Sequence, residues 1–244
     1  MRLSGKRVLA IGASGGLGRA SALAVAAEGA RVCFTARRLE RIEEAAKEAG
    51  HDAFAVPCDV RDEASCRTAV ADAAAEMGGL DALVYAPGIA TFGPLAETTA
   101  DEWRAVLETN LIGVNVALAA AIEHLEASHG KAIIFTSMVV HDSPPRLKQA
   151  PYVVSKVALE TLIEAWQSEH RSVGFTALAN GDAWTEFGDA HDLAKVAPIV
   201  REWQKGDYMY GRMMEIPAIT EQVVNALASS ETIRRIAITP NYST

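Results

Sequence analysis

Short apolar runs without polar alternation recur along this chain, separated by longer stretches of mixed character. An unbroken apolar run of this length is the mark of a strand buried on both faces of a parallel sheet. Such strands are predicted over 8–11, 31–35, 53–56, 80–85, 131–136, 174–178 and 233–239. Between them, helices are predicted over 19–30, 39–49, 63–77, 102–127, 152–171 and 218–229. Gly78-Gly79 is a C-terminal stop for the third of these, and Thr98 or Thr99 opens the fourth, with Asp101 and Glu102 favouring its first turn. Strands alternating with helices predict an α/β fold: one doubly wound Rossmann domain over 1–244, about seven parallel strands with helices on both faces. No repeat, linker or low-complexity segment interrupts it. Residues 183–217 alone lack this rhythm. They are rich in Trp184, Phe187, Trp203, Tyr208, Met209, Tyr210, Met213 and Met214. That segment reads as an apolar lid over a substrate pocket, or as a structural flap or oligomer contact.

Composition narrows the class. Half of the 244 residues are hydrophobic and 22% are charged, as in an ordered globular chain. A net charge of −8 without a basic block argues against nucleic acid as a partner. Cys33, Cys58 and Cys66 show no metal or redox spacing and read as small buried hydrophobes in a reducing compartment. The chain runs straight into its first strand, so no signal peptide is expected and a cytoplasmic location is. No apolar run reaches membrane-spanning length; residues 111–125 come nearest and are broken by Asn115, Glu123 and His124. Their excess apolarity reads as deep burial or a subunit interface, hence a homodimer or homotetramer.

Candidate chemistry clusters at predicted strand ends. After the first strand, a turn holds Gly12, Ser14, Gly15, Gly16, Leu17 and Gly18. Small residues there let the backbone approach a pyrophosphate, and the following helix offers unpaired N–H groups to it. The second strand ends in Arg37-Arg38 rather than an acidic residue. Two guanidinium groups suit a 2′-phosphate, or they simply open the next helix at the surface. Asp59, beside Val60, could accept from an adenine amino group or cap the helix that follows. Ala86-Pro87-Gly88 closes the fourth strand with small residues. Asn110 is a poor interior helix residue, which predicts a local break or a specific hydrogen bond. Ser137 and Met138 end the fifth strand, and Pro144-Pro145 make a loop of 141–151. Tyr152 and Lys156 stand one helical turn apart on one face, where an ammonium lowers a phenol pKa and makes tyrosine a usable acid or base. Alone, such a pair is an ordinary surface pair.

In this order and at these distances, the motifs resemble the short-chain dehydrogenase/reductase family over essentially the whole length, particularly its 3-oxoacyl-carrier-protein reductases and NADPH-dependent carbonyl reductases. The matching residues are G-x-x-x-G-x-G (Gly12, Gly16, Gly18), Asp59-Val60, Ala86-x-Gly88, Asn110 and Tyr152-x-x-x-Lys156. The resemblance implies NADP(H) as cofactor and a small carbonyl substrate, apolar or carrier-linked. It implies Tyr152 as proton donor to the carbonyl oxygen, and Lys156 as the group that lowers its pKa and holds the nicotinamide ribose. Asn110 would hold a water linking Lys156 to solvent, Thr185 would bind the carboxamide, and Arg37 would select NADP(H).

The chain also departs from the family. Ile11 replaces a threonine, Asn180-Gly181 replaces a proline–glycine turn, and Tyr85 to Gly88 lack an asparagine whose side chain ties the central strands. Met138 stands where the family has the serine that binds the substrate oxygen, and strand alternation turns Ser137 away. A bulge could return Ser137, or the loop could supply Ser143. Without either, a non-catalytic NADP(H)-binding sensor or partner subunit becomes the competing reading. Reduction of an imine or enone is a further one.

Overall fold

The computed structural model describes residues 1–185, 193–209 and 211–241. Seven strands form one parallel sheet: β1 (Arg7–Ile11), β2 (Arg31–Ala36), β3 (Phe54–Pro57), β4 (Ala82–Tyr85), β5 (Lys131–Phe135), β6 (Gly174–Asn180) and β7 (Arg235–Ile238), in the order β3-β2-β1-β4-β5-β6-β7. The helices are α1 (Gly16–Ala27), α2 (Leu39–Ala49), α3 (Glu63–Met77), α4 (Ala100–Leu107), α5 (Gly113–Ser128), α6 (Ala150–Glu169), α7 (Leu193–Lys205) and α8 (Ile216–Ala228).

Strands β1 to β6 each serve two cores, which is why their residues are apolar without alternation, whereas the edge strand β7 packs on one side only. Along β1, Val8 and Ala10 pack with α1, α2 and α8, whereas Leu9 and Ile11 pack with α3, α5 and α6. The strand order reverses between β1 and β4, so connections leave the sheet in opposite directions and open a crevice at the carboxyl ends of the strands.

Several expectations shift. Helix α1 starts at Gly16, inside the glycine turn, rather than at residue 19. The stretch predicted as one helix over 102–127 is α4 and α5 joined by a π-helical turn, Glu108–Ile112, with Asn110 buried within it. Thr99 caps α4 reciprocally with Glu102. The described residues of segment 183–217 are not all irregular: they include the 13-residue helix α7, which has Pro198 inside it and buries Ile199 and Trp203 one turn apart. Phe187 and Tyr210 lie outside the described residues.

Residues Ala100–Ser128 form 29 continuous helical residues with a window of mean hydropathy 1.7. By length and composition this stretch passes for a membrane span, contrary to the sequence reading. Its packing is that of a core helix: Val114, Ala117, Leu118, Ala121 and Leu125 are fully buried and belong to the core shared with α3. Deep burial therefore accounts for part of the apolar excess. The three cysteines are buried and unbridged, and burial pushes the Cys33 thiol up to about 12.

Candidate functional site

A cleft of about 530 Å³ runs along the carboxyl ends of the central strands, from the glycine turn after β1 to the start of α6. At one end the turn is built so that side chains cannot enter it. A Cβ on Gly18 would sit 2.2 Å from the Gly12 carbonyl oxygen, and one on Gly12, whose φ is +84°, would sit 2.8 Å from the Pro87 nitrogen. The turn is held by Gly12 and Ala13 N–H groups donating to the Thr35 carbonyl at 2.8 and 3.0 Å. The first turn of α1 has no side-chain cap, and Gly15, Gly16 and Leu17 line the cleft. Uncapped amides and a positive helix end, beside a backbone that Gly12 and Gly18 keep clear of a Cβ, fit a phosphate.

The expected cofactor residues gather around this cradle. Arg37 and Arg38 line its rim, and Arg38 reaches back to donate to Ser14 Oγ at 3.0 Å. Asp59 and Val60 line the wall. Asp59 is not the cap of α3: Asp62 accepts the Ala64 and Ser65 N–H groups, while Asp59 Oδ1 accepts from the Arg61 N–H at 3.0 Å. Ala86, Pro87 and Gly88 form the floor. Thr185 reaches the glycine turn from β6, its Cβ 3.5 Å from the position a Cβ on Gly16 would take.

At the other end Tyr152, Lys156, Ser137 and Asn110 converge. Strand β5 ends at Phe135, and Ser137 caps a short 3₁₀ turn, Met138–His141. The alternation argument that turned Ser137 away therefore does not apply, because the strand has already stopped. Ser137 lies within hydrogen-bond reach of the Tyr152 phenol, and no bulge and no Ser143 is needed. Met138 also lines the cleft, but Ser137 is the hydroxyl that meets Tyr152.

Burial pushes the Tyr152 phenol above its usual range; the bond from Ser137 pulls it down, Asp182 pushes it up and Arg146 pulls it down. The expectation that Lys156 lowers this pKa is not met here. Its Nζ donates to the Phe135 carbonyl at 2.9 Å and lies 5.7 Å from the centre of the tyrosine ring. Burial alone brings Lys156 down to about 8.

Asn110 works as a brace. Its Oδ1 accepts the Ile89 N–H, and its Nδ2 donates to the Ile89 carbonyl and to Ser155 Oγ, each at 2.9 Å. Ser155 in turn donates to the Tyr152 carbonyl at 2.7 Å. The strand-end loop and the first turn of α6 are thereby tied together. Tyr85 adds a second tie, its phenol donating to the Thr109 carbonyl at 3.0 Å, so the chain does not lack a side-chain donor at this strand.

Three polar residues on the same walls carried no sequence signal strong enough to single them out: Arg146, Gln149 and Asp182. The available hints were Asp182 directly after the turn that ends β6, and Gln149 three residues before Tyr152. Among the described residues expected to shape an apolar pocket, Trp203 is buried against Arg146, Met214 belongs to the core, and Trp184 is exposed.

A family model described as short chain dehydrogenase matches residues 6–190. The chain is 28% identical over 235 residues to the glycine betaine reductase ATRR of Emericella nidulans, covering 94% of this chain but 18% of that protein's length. It is 31% identical over 200 residues to an L-fucose dehydrogenase of Oryctolagus cuniculus, covering 81% of this chain and 69% of that one. Among solved structures, a short chain dehydrogenase from Burkholderia cenocepacia in complex with NADP superposes with a TM-score of 0.86 at 27% identity, covering 99% of both chains.

Proposed function

The chain belongs to the short chain dehydrogenase family, whose matched region takes in the whole cleft, and from that premise we propose an NADP(H)-dependent oxidoreductase that reduces a carbonyl group or oxidises the corresponding alcohol. The observation that carries the reading is the meeting of Ser137 with the half-buried Tyr152 at one end of a cleft whose other end is a glycine turn too tight for a Cβ at Gly12 or Gly18. The Burkholderia cenocepacia relative, of the same fold, holds NADP.

The uncapped amides of the glycine turn would hold the pyrophosphate, and Arg37 with Arg38 would receive the 2′-phosphate; Asp59 and Val60 would hold the adenine end, and Lys156 and Thr185 the nicotinamide end. A bound nicotinamide supplies or accepts the hydride. The protein supplies position and the proton. Tyr152 Oη carries that proton, and because burial raises its pKa the phenol is protonated at neutral pH, the form needed to neutralise a nascent alkoxide. Ser137 Oγ shares the substrate oxygen with it and steadies the phenolate left behind. The competing sensor reading rested on a missing site hydroxyl, and Ser137 provides one.

The test is NADPH and NADH oxidation by the purified protein across ketones, 3-oxoacyl thioesters and cyclic imines, with Tyr152→Phe in parallel. Turnover favouring NADPH that falls by about two to four orders of magnitude in the variant is the expected result. Turnover undiminished in Tyr152→Phe removes the tyrosine from its role, and NADPH binding without turnover on any member returns the sensor reading.

A further inference from the structure

Beyond Tyr152 the cleft holds a polar cluster that proton transfer leaves without a task. Arg146, on the loop between β5 and α6, is buried. It donates Nε to Asp142 Oδ2 at 2.8 Å, one terminal nitrogen to Asp182 Oδ1 at 2.7 Å and the other to the Tyr208 carbonyl at 2.8 Å. Its guanidinium also lies 5.1 Å from the centre of the Trp203 ring. A guanidinium so engaged is a bracket rather than a hand for ligands. An anionic substrate would have to displace one carboxylate and then face its uncompensated charge.

What Arg146 fixes is Asp182. That side chain lines the cleft, keeps 25% of its surface open, and has its Oδ1 pinned. Its Oδ2 accepts no hydrogen bond among the described residues, and its charge is felt at the Tyr152 phenol. Gln149, one turn ahead of Tyr152 on the same wall, is buried, and its Oε1 has no donor. Among the described residues, two acceptors without donors therefore belong to side chains that line the same cleft as Tyr152.

We propose that Asp182, with Gln149, forms an acceptor subsite for a donor group next to the reacting carbonyl, so that the substrate is a vicinal hydroxy carbonyl compound or its amino counterpart, together with the corresponding alcohol. This rests on the oxidoreductase reading above. Asp182 sets specificity, Gln149 supports it, and Arg146 positions Asp182.

The experiment compares 3-hydroxybutan-2-one, 3-aminobutan-2-one and butan-2-one as substrates of the full chain with NADPH. The wild-type protein is expected to favour one donor-bearing ketone over butan-2-one in kcat/KM by on the order of tenfold to a hundredfold, the worth of a hydrogen bond to a charged acceptor. Asp182→Ala brings that ratio close to one. Asp182→Asn keeps an acceptor without the charge: it retains part of a preference for the hydroxy ketone and loses a preference for the amino ketone, which separates the two sources. Gln149→Leu lowers the ratio less. A wild-type ratio near one, a ratio that survives both Asp182 variants, or an equal loss on all three ketones overturns the subsite.

A readout independent of turnover keeps the two readings apart. With NADP present, butane-2,3-diol or 3-aminobutan-2-ol should raise the melting temperature more than butan-2-ol does in the wild type, but not in Asp182→Ala, or in Asp182→Asn should the alanine variant not fold. If no ketone reacts, the oxidoreductase reading fails while this difference still upholds the subsite, and its absence overturns it.

Discussion

Lys156 is buried, and among the described residues its ammonium donates one hydrogen bond, to the Phe135 carbonyl. Lowering a lysine pKa from 10.5 to about 8 corresponds to about 3 kcal/mol of differential interaction against the charged form. Below about pH 8 the folded protein keeps the proton and carries that whole penalty. Between about 8 and 10.5 the unfolded chain binds the proton more tightly, so the Lys156 contribution to stability rises with pH across that window. Lys156→Met removes the charge and also strands the Phe135 carbonyl, which returns about 1 kcal/mol. The variant should therefore be about 2 kcal/mol more stable than wild type at pH 7, with the gap closing by pH 10, in urea unfolding. A gap equal at both pH values would mean that burial of charge is not its source. The spacing of Tyr152 and Lys156 made the pair legible in the sequence. Where the ammonium points was not, because a carbonyl 21 residues away decides it. Nor was Ser137: its direction depends on the strand stopping at Phe135, a one-residue matter of pairing that apolar pattern does not resolve. Arg146 and Asp182 are 36 residues apart and meet only through the sheet order.

Among the elements, the turn between α4 and α5 ties the sheet to the site. An asparagine inside a helix leaves its amide seeking backbone partners, and the π-helical turn places that amide against the loop after β4. Replacing Asn110 with alanine leaves the Ile89 N–H and C=O without partners and frees the Ser155 hydroxyl from one bond. At about 1–3 kcal/mol for each backbone group left buried and unpaired, a loss of about 3 kcal/mol is expected. In a chain of this length that is about 6–12 °C in melting temperature. Differential scanning fluorimetry of Asn110→Ala checks it, and a change below about 1 °C would show that the turn stands without the brace. Asn110 was readable as a break because the residue type conflicts with its helical surroundings. Helix α7 was not readable, because Pro198 argues against a helix locally while Trp203 stabilises one only once it reaches Arg146 and Phe92. Tertiary contact overrides the local preference there.

At the scale of the whole molecule, strands and helices were legible because both faces of the sheet are covered from β1 to β6, which turns those strands into apolar runs; the edge strand β7 is covered on one face only. What covers the outer face of α6 is a separate matter. Val154 and Val157 are 48% and 47% exposed there, one turn apart, and Ile112 on the neighbouring π-helical turn is 54% exposed. Scattered single apolar residues need no explanation, but three on adjoining elements make a patch. The same helix carries Tyr152 and Lys156 on its inner face, so a second copy seated on the outer face would stiffen the element that positions the acid. The prediction at this scale is a symmetric pair through α6, since an isologous contact buries one patch with its own copy. Light scattering at micromolar concentration should give at least twice the 26.0 kDa chain mass. Replacing Val154 and Val157 together with lysine should bring it down to a single chain, because four ammonium groups facing one another across the axis cannot be desolvated together. A wild-type mass near 26.0 kDa rules out self-association at that concentration. A double variant that keeps the larger mass moves the contact to another face.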